Sequence, residues 1–188
     1  MRIVSVTSVL GGVAAFALAS PTAGAQGTQP FSVQVSALAA HVTLSPSDGF
    51  GATFSELGGE AQIRYAPSKH WSLGAGFQFT TGTNQGQTLA MSGVFLEPRV
   101  TLGVGTPRIT PYLAARLAFM RGTDTFEGES INLNGQTLGG GAGALIPISK
   151  RIQLDVSALF AKNRIGSGGF SSMGYVVRSG LSVGFGGR

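Results

Sequence analysis

Leu96–Phe119 reads LEPRVTLGVGTPRITPYLAARLAF, an apolar stretch that nonetheless carries Glu97, Arg99, Arg108 and Arg116. Unpaired charges are costly to bury, so where these four point decides what the segment is. At a period of two, Leu96, Val100, Leu102 and Val104 share one face, and Glu97, Arg99 and Thr101 share the other. Beyond a short Gly105–Arg108 turn, Leu113, Ala115, Leu117 and Phe119 oppose Tyr112, Ala114 and Arg116. Two adjacent antiparallel strands result, each with one charge-free face and one charged face. Glu97 and Arg116 stand about equally far from the turn, so they can face one another. Pro98 falls on the apolar parity, where it cannot donate a ladder hydrogen bond, and a local bulge is expected there.

The same period runs outward in both directions. Phe31–Leu44 alternates Phe31, Val33, Val35, Ala37 and Ala39 with Ser32, Gln34 and Ser36. In Trp71–Thr80, Trp71, Leu73, Ala75, Phe77 and Phe79 oppose small or polar residues, and Arg151–Asn163 sets Ile152, Leu154, Val156, Ala158 and Phe160 against Gln153, Asp155 and Ser157. Met173–Phe185 sets Tyr175, Val177, Leu181, Val183 and Phe185 against Arg178, Gly180 and Ser182. With Gly59–Ala66, Leu89–Val104, Thr110–Arg121 and the glycine-rich Gly135–Ile148, whose pattern is weakest, about eight strands are predicted, most near the ~9–11 residues of a membrane-crossing strand. Glu60, Gln62 and Arg64 share a parity in the second of them.

Connections alternate in length. Pro67–His70, Gly105–Arg108 and Ser149–Arg151 are short, whereas Ser45–Glu56, Thr81–Gln87, Gly122–Asn132 and Ile165–Ser172 are long, polar and rich in glycine. That regularity predicts an up-and-down meander with both termini at the short-turn end. A soluble ligand-carrying barrel keeps its apolar face inside and its charges outside. This pattern is the reverse, with charges in the lumen and apolar residues toward lipid. The fold class expected is an all-β, eight-stranded, antiparallel, transmembrane barrel.

Composition agrees. With 11 % charged residues, 30 glycines among 188 residues and a mean hydropathy of +0.25, the chain is too apolar for disorder and too glycine-rich for an ordinary helical domain. The absence of cysteine excludes disulfides and thiolate metal sites. Arg2, the apolar run Ile3–Leu18 and the small-residue site Ala23-Gly24-Ala25 form the pattern of a secretory signal peptide. Residues 1–25 are therefore expected to be cleaved, leaving residues 26–188 as one exported barrel domain. The net charge of +5 comes from lysines and arginines spread singly, with no basic helix or aromatic–basic cluster, which argues against nucleic acid as a partner.

On this alternation the chain resembles the small outer-membrane β-barrel superfamily, which includes the transmembrane domain of outer-membrane protein A, outer-membrane protein X and the opacity-type proteins. The resemblance covers residues 26–188. It implies the outer membrane of a diderm bacterium, with both mature termini in the periplasm and lipid and lipopolysaccharide as surroundings. It also implies that Tyr175, Val177, Leu181, Val183 and Phe185 form the terminal signal read by the barrel-assembly machinery. Family members usually stop at the aromatic residue, whereas Gly186, Gly187 and Arg188 follow here. Phe31, Tyr65, Trp71 and Phe185 all fall at the periplasmic side as an aromatic girdle; Phe79, Phe119 and Phe160 are candidates for the outer one.

Catalytic patterns are thin. Gly180–Gly184 matches G-x-S-x-G around Ser182, but no helix pattern follows and both histidines, His41 and His70, lie far upstream. Gly139–Ala144 leads into Leu145-Ile146-Pro147 and not into a helix, so it lacks what a phosphate cradle needs; small residues crowding a narrow lumen explain it better. Some barrels of this size modify lipid A through histidine, serine and an acid. His41 near the outer end, with Ser45, Ser47 and Asp48 after it, is the place for that alternative. Neither histidine has a partner at metal-ligand spacing, and no cofactor is expected. Asp124, Glu127 and Glu129 are expected in one outer loop, where they could bridge divalent cations to lipopolysaccharide.

The most informative set is Glu60, Arg64, Glu97, Arg99, Arg116, Asp155 and Arg178, four positive and three negative groups facing a narrow lumen. They predict an ion-paired plug in a structural or surface-interaction protein, conducting at most through a narrow pore. The competing class is a true small-solute or ion channel whose pairs exchange partners. An unknown extracellular ligand would bind at the outer loops.

Overall fold

Residues that alternate polar and apolar side chains bury one face only, and a sheet of such strands can satisfy every backbone group by closing on itself. The computed structural model describes residues 29–45, 52–102, 109–126, 128–165 and 170–186. They form a closed barrel of eight antiparallel strands: β1 (Phe31–Ser45), β2 (Ala52–Tyr65), β3 (Trp71–Asn84), β4 (Gln87–Thr101), β5 (Thr110–Phe126), β6 (Glu129–Pro147), β7 (Ile152–Ile165) and β8 (Phe170–Phe185). Each pairs with the next, and β8 closes on β1 from Phe31↔Phe185 to Ser45↔Ser171. The expected signal segment and the expected Gly105–Arg108 turn, with Ser47, Asp48, Glu127, Gly187 and Arg188, lie outside the described residues.

Three expectations are corrected. Where the long connections are described, much of them is strand: β2 begins at Ala52, β5 runs on to Phe126, and Asp124 and Glu129 are strand residues rather than members of a loop. Apolar alternation fades where the strands leave an oily layer, but ladder hydrogen bonds do not depend on it. Cross-strand hydroxyl pairs continue the sheet, with Thr43–Thr53 at 3.4 Å, Thr83–Thr88 at 3.3 Å and Thr125–Ser130 at 3.0 Å. The expected Thr81–Gln87 loop is a two-residue hairpin, Asn84↔Gln87 closing over Gln85 (φ 49°) and Gly86 (φ 84°); two successive positive φ values are what a type I′ turn requires.

Pro98 needs no bulge. It sits opposite Leu73 of β3, while the β4–β5 ladder runs from Thr88↔Thr125 to Leu96↔Leu117, breaks at Glu97 and Pro98, and resumes at Arg99↔Ala114 in unchanged register. The missing proline N–H costs rungs, not alignment. The weakly patterned Gly135–Ile148 segment belongs to β6, whose 19 residues pair with β5 along nearly their whole length.

The lumen is layered, which parity alone did not reveal. Toward the hairpin end, Phe54, Leu89, Met91, Phe95, Ala118 and Met120 form an apolar cluster inside the barrel. They share strand parity with the charged residues: Leu89, Met91 and Phe95 precede Glu97 and Arg99 on one face of β4. Below the cluster the interior is ionic.

Candidate functional site

The ionic layer is built where inward positions of β2, β4, β5, β7 and β8 meet. All seven lumen residues predicted from the sequence are buried, with Glu97, Asp155 and Arg178 each at 0 % exposure. Glu97 is the hub. Its Oε1 accepts from Arg99 Nε at 2.7 Å and from Arg64 Nη2 at 3.3 Å. Its Oε2 accepts from Arg178 Nη1 at 3.0 Å and from both Arg116 Nη2 and Arg116 Nε, the latter at 2.7 Å. Glu97 and Arg116 occupy the cross-strand position skipped by the ladder.

Two further carboxylates flank the hub. Glu60 receives Arg178 Nη1 at 2.8 Å and lies 2.9 Å from Arg116 Nη2. Asp155 receives Arg99 Nη1 at 2.6 Å and the Tyr112 hydroxyl at 2.6 Å, with Arg178 Nη2 at 3.9 Å. The four guanidiniums and three carboxylates leave a formal excess of one positive charge. Neutral acceptors and ring faces spread it: Gln62 and Ser72 accept from Arg64, Gln78 from Arg116, and Ser157 from Arg178. Arg116 lies 4.0 Å from the Phe95 ring centroid, and Arg99 lies 4.3 Å from that of Tyr112.

Tyr112 is the member that was not foreseen. Its hydroxyl donates to Asp155 and accepts from Arg178 Nη2 at 3.1 Å, tying β5 to β7 and β8 across the lumen. Gly143 makes room for it, since a Cβ there would stand 2.5 Å from the Tyr112 hydroxyl. Within the glycine run of β6, Gly143 is therefore the floor space for an aromatic ring.

The layer separates two small chambers. On the hairpin side a cavity of about 60 Å³ is lined by Leu89, Met91 and Met120 and also by Glu56, which accepts from Thr80 Oγ1 at 2.6 Å. On the side of the termini a vestibule of about 140 Å³ is edged by Arg64, Lys69, Lys150 and Arg151.

The outer wall carries the remaining predicted residues. Phe31 lies 5.1 Å from Tyr65 and 5.9 Å from Phe185 between ring centroids, its cross-strand partners on either side. Trp71 is 48 % exposed beside the Pro67–His70 turn. Tyr175, Leu181, Val183 and Phe185 are exposed along the outward face of β8, and Val177 shares their parity. His41 bonds through Nδ1 to Ser55 Oγ at 3.3 Å and stacks on Tyr175 at 5.3 Å. Ser182 is a buried lumen residue with no histidine bonded to it among the described residues. Among the described residues no cluster of histidines and acids has the makings of a metal site.

No protein-family model matches this chain, and no curated protein matches it. Solved structures do share its fold. Neisserial surface protein A is 18 % identical with a TM-score of 0.64, over 83 % of this chain and 97 % of that one. Ail, the attachment invasion locus protein of Yersinia pestis, is 13 % identical with a TM-score of 0.52, over 80 % and 97 %. The outer membrane protein OprG from Pseudomonas aeruginosa is 12 % identical with a TM-score of 0.52, over 85 % and 98 %. At these identities the likeness is one of fold: this chain has the architecture of the small eight-stranded outer-membrane barrels.

Proposed function

We propose that this chain is an outer-membrane barrel with a closed lumen, acting as a structural or surface-interaction protein and not as an enzyme. The observation that carries the reading is the ionic layer. Seven charged side chains and Tyr112 meet within hydrogen-bonding distance across the lumen, and an eight-stranded barrel is narrow enough for side chains to fill. The outer wall supports the location. Val35, Ile63, Phe77, Leu96, Leu117, Leu138, Phe160 and Leu181 stand exposed, one on each strand, as an apolar belt, and soluble monomers rarely leave apolar patches beyond a few hundred Å² in water.

In this reading the end that carries the aromatic girdle and both described termini faces the periplasm, and the hairpin end faces outward. The outward residues of β8 from Tyr175 to Phe185 serve as the assembly signal. His41 is an interface residue packed on Tyr175. A partner, if extracellular, meets the hairpin tips.

One observation favours a second reading, a narrow channel. Chambers lie on both sides of the ionic layer, so rearranged ion pairs would join them. Single-channel recording of the mature chain in a planar bilayer separates the two. The closed reading expects no discrete steps from the wild type. Steps in the wild type that change in a Glu97→Gln, Arg116→Gln double variant would make the layer a gate and the protein a channel.

A further inference from the structure

On the outward parity of the strands, three formal charges occur among the described residues: Arg121 on β5, and Lys162 and Arg164 on β7. All are cationic, all are exposed, and all lie toward the hairpin end. No carboxylate pairs with them among the described residues. A lipid-facing wall normally excludes charge, so three unpaired cations flanking one strand call for an anionic occupant.

Register fixes their arrangement. One row across the wall runs Ser92–Arg121–Asn134, and the next runs Val94–Phe119–Gln136–Arg164. The third is Leu96–Leu117–Leu138–Lys162. Arg121 and Arg164 thus bracket the amides of Asn134 and Gln136, at roughly 12 Å between backbones from two strand spacings and one two-residue step. An open groove lined by Phe119, Arg121, Asn134, Gln136 and Arg164 follows these residues. Down β5 Arg121 gives way to Phe119 and Leu117, and down β6 Asn134 and Gln136 give way to Leu138. From Leu113, in line with Val100 and Trp71, to Arg121 is about 27 Å along the strand, or about 20 Å of height at a tilt of ~40°, which places Arg121 near the upper edge of an apolar band ~25 Å tall.

We infer that this groove binds a phosphorylated glycolipid of the outer leaflet, with Arg121 and Arg164 on its phosphates and Lys162 assisting. Asn134 and Gln136 meet the sugar hydroxyls, and the acyl chains lie over Phe119 and Leu138. The chemistry required is anionic groups at the two ends of a short saccharide that carries apolar tails. The cations complement the phosphates, the amides match hydroxyls, and the apolar residues below them on β5 and β6 match the tails. The inference rests on the proposed outward orientation of the hairpin end.

The test uses the full chain, produced in an outer membrane, extracted and held in neutral detergent, with bound lipid read by native mass spectrometry. Diphosphoryl lipid A should be retained at least tenfold more than the same lipid stripped of phosphate. An Arg121→Gln, Lys162→Gln, Arg164→Gln variant should lose that preference, and an Arg121→Lys, Arg164→Lys variant should keep most of it. Equal retention of both lipids by the wild type would overturn the inference, whatever the variants do. So would a folded triple-glutamine variant with the preference intact, or full displacement of the lipid by inorganic pyrophosphate, which would mark a free-phosphate site. Orientation is checked separately. The chain has no cysteine, so Gln85→Cys at the β3–β4 hairpin should react with an impermeant maleimide on intact cells. Failure there strikes the proposed orientation, while the lipid assay still reads the groove.

Discussion

Glu97 receives hydrogen bonds from four arginines on four strands while fully buried. A buried pair gains little net stability over an apolar pair, but removing one member strands the others without compensation. Glu97→Ala should therefore lower the unfolding free energy by about 3–5 kcal/mol, read as a shift in denaturant midpoint at unchanged m-value. Exposed Glu129, at the start of β6, should shift it by less than about 0.5 kcal/mol when changed to Ala. The Glu97–Arg116 contact was legible from equal spacing about one turn. The Tyr112–Asp155 bond was not, because β5 and β7 are not neighbours. Contacts across a lumen depend on how the sheet closes and how far side chains reach, and neither is written in the local pattern.

At the scale of the strand, β6 shows why its pattern was faint. Its inward positions Gly139 and Gly141 lie against the β7 backbone, and Gly143 lies against Tyr112 and Ser157, so these positions are kept small and carry no polar or apolar signal of their own. Gly143→Ala should cost about 1–3 kcal/mol through overlap with Tyr112. Gly140→Ala points outward and meets nothing nearer than the Ala114 carbonyl at 3.5 Å, and it should be tolerated. Chemical unfolding of both, with Gly143→Ala repeated in a Tyr112→Ala background where the cost should shrink, checks the argument. Strand number, direction and facing were readable because period-two alternation records which side meets oil. Strand ends were not. Above the apolar belt the ladder is held by threonine and serine pairs and a tight Asn84–Gln87 turn, and there polarity on both faces resembles a loop.

For the whole molecule, closure is the dominant fact. Every strand has two partners, so the barrel presents no free edge to solvent or to another chain. Cross-lumen ion pairs then bind non-neighbouring strands together. Unfolding should be cooperative and slow in detergent, and the unboiled protein should migrate differently on an SDS gel from the boiled one. Coincident bands would contradict a detergent-resistant barrel. The exterior was the more legible half, since the outward apolar faces follow from alternation alone. The division of the interior into an apolar cluster, an ionic layer and a basic vestibule emerges only when eight inward faces are assembled.

The broken ladder at Glu97 and Pro98 has a consequence for how such a cylinder comes apart. A closed sheet can unravel only by splitting lengthwise along one seam, and a seam is as strong as its weakest rungs. Between β4 and β5 the backbone stitching lapses near the end away from the hairpin, and the Glu97–Arg116 side-chain pair bridges the gap from within. Along this seam the lapse falls where the charge hub is clamped, so the same two residues that close the lumen also hold β4 against β5.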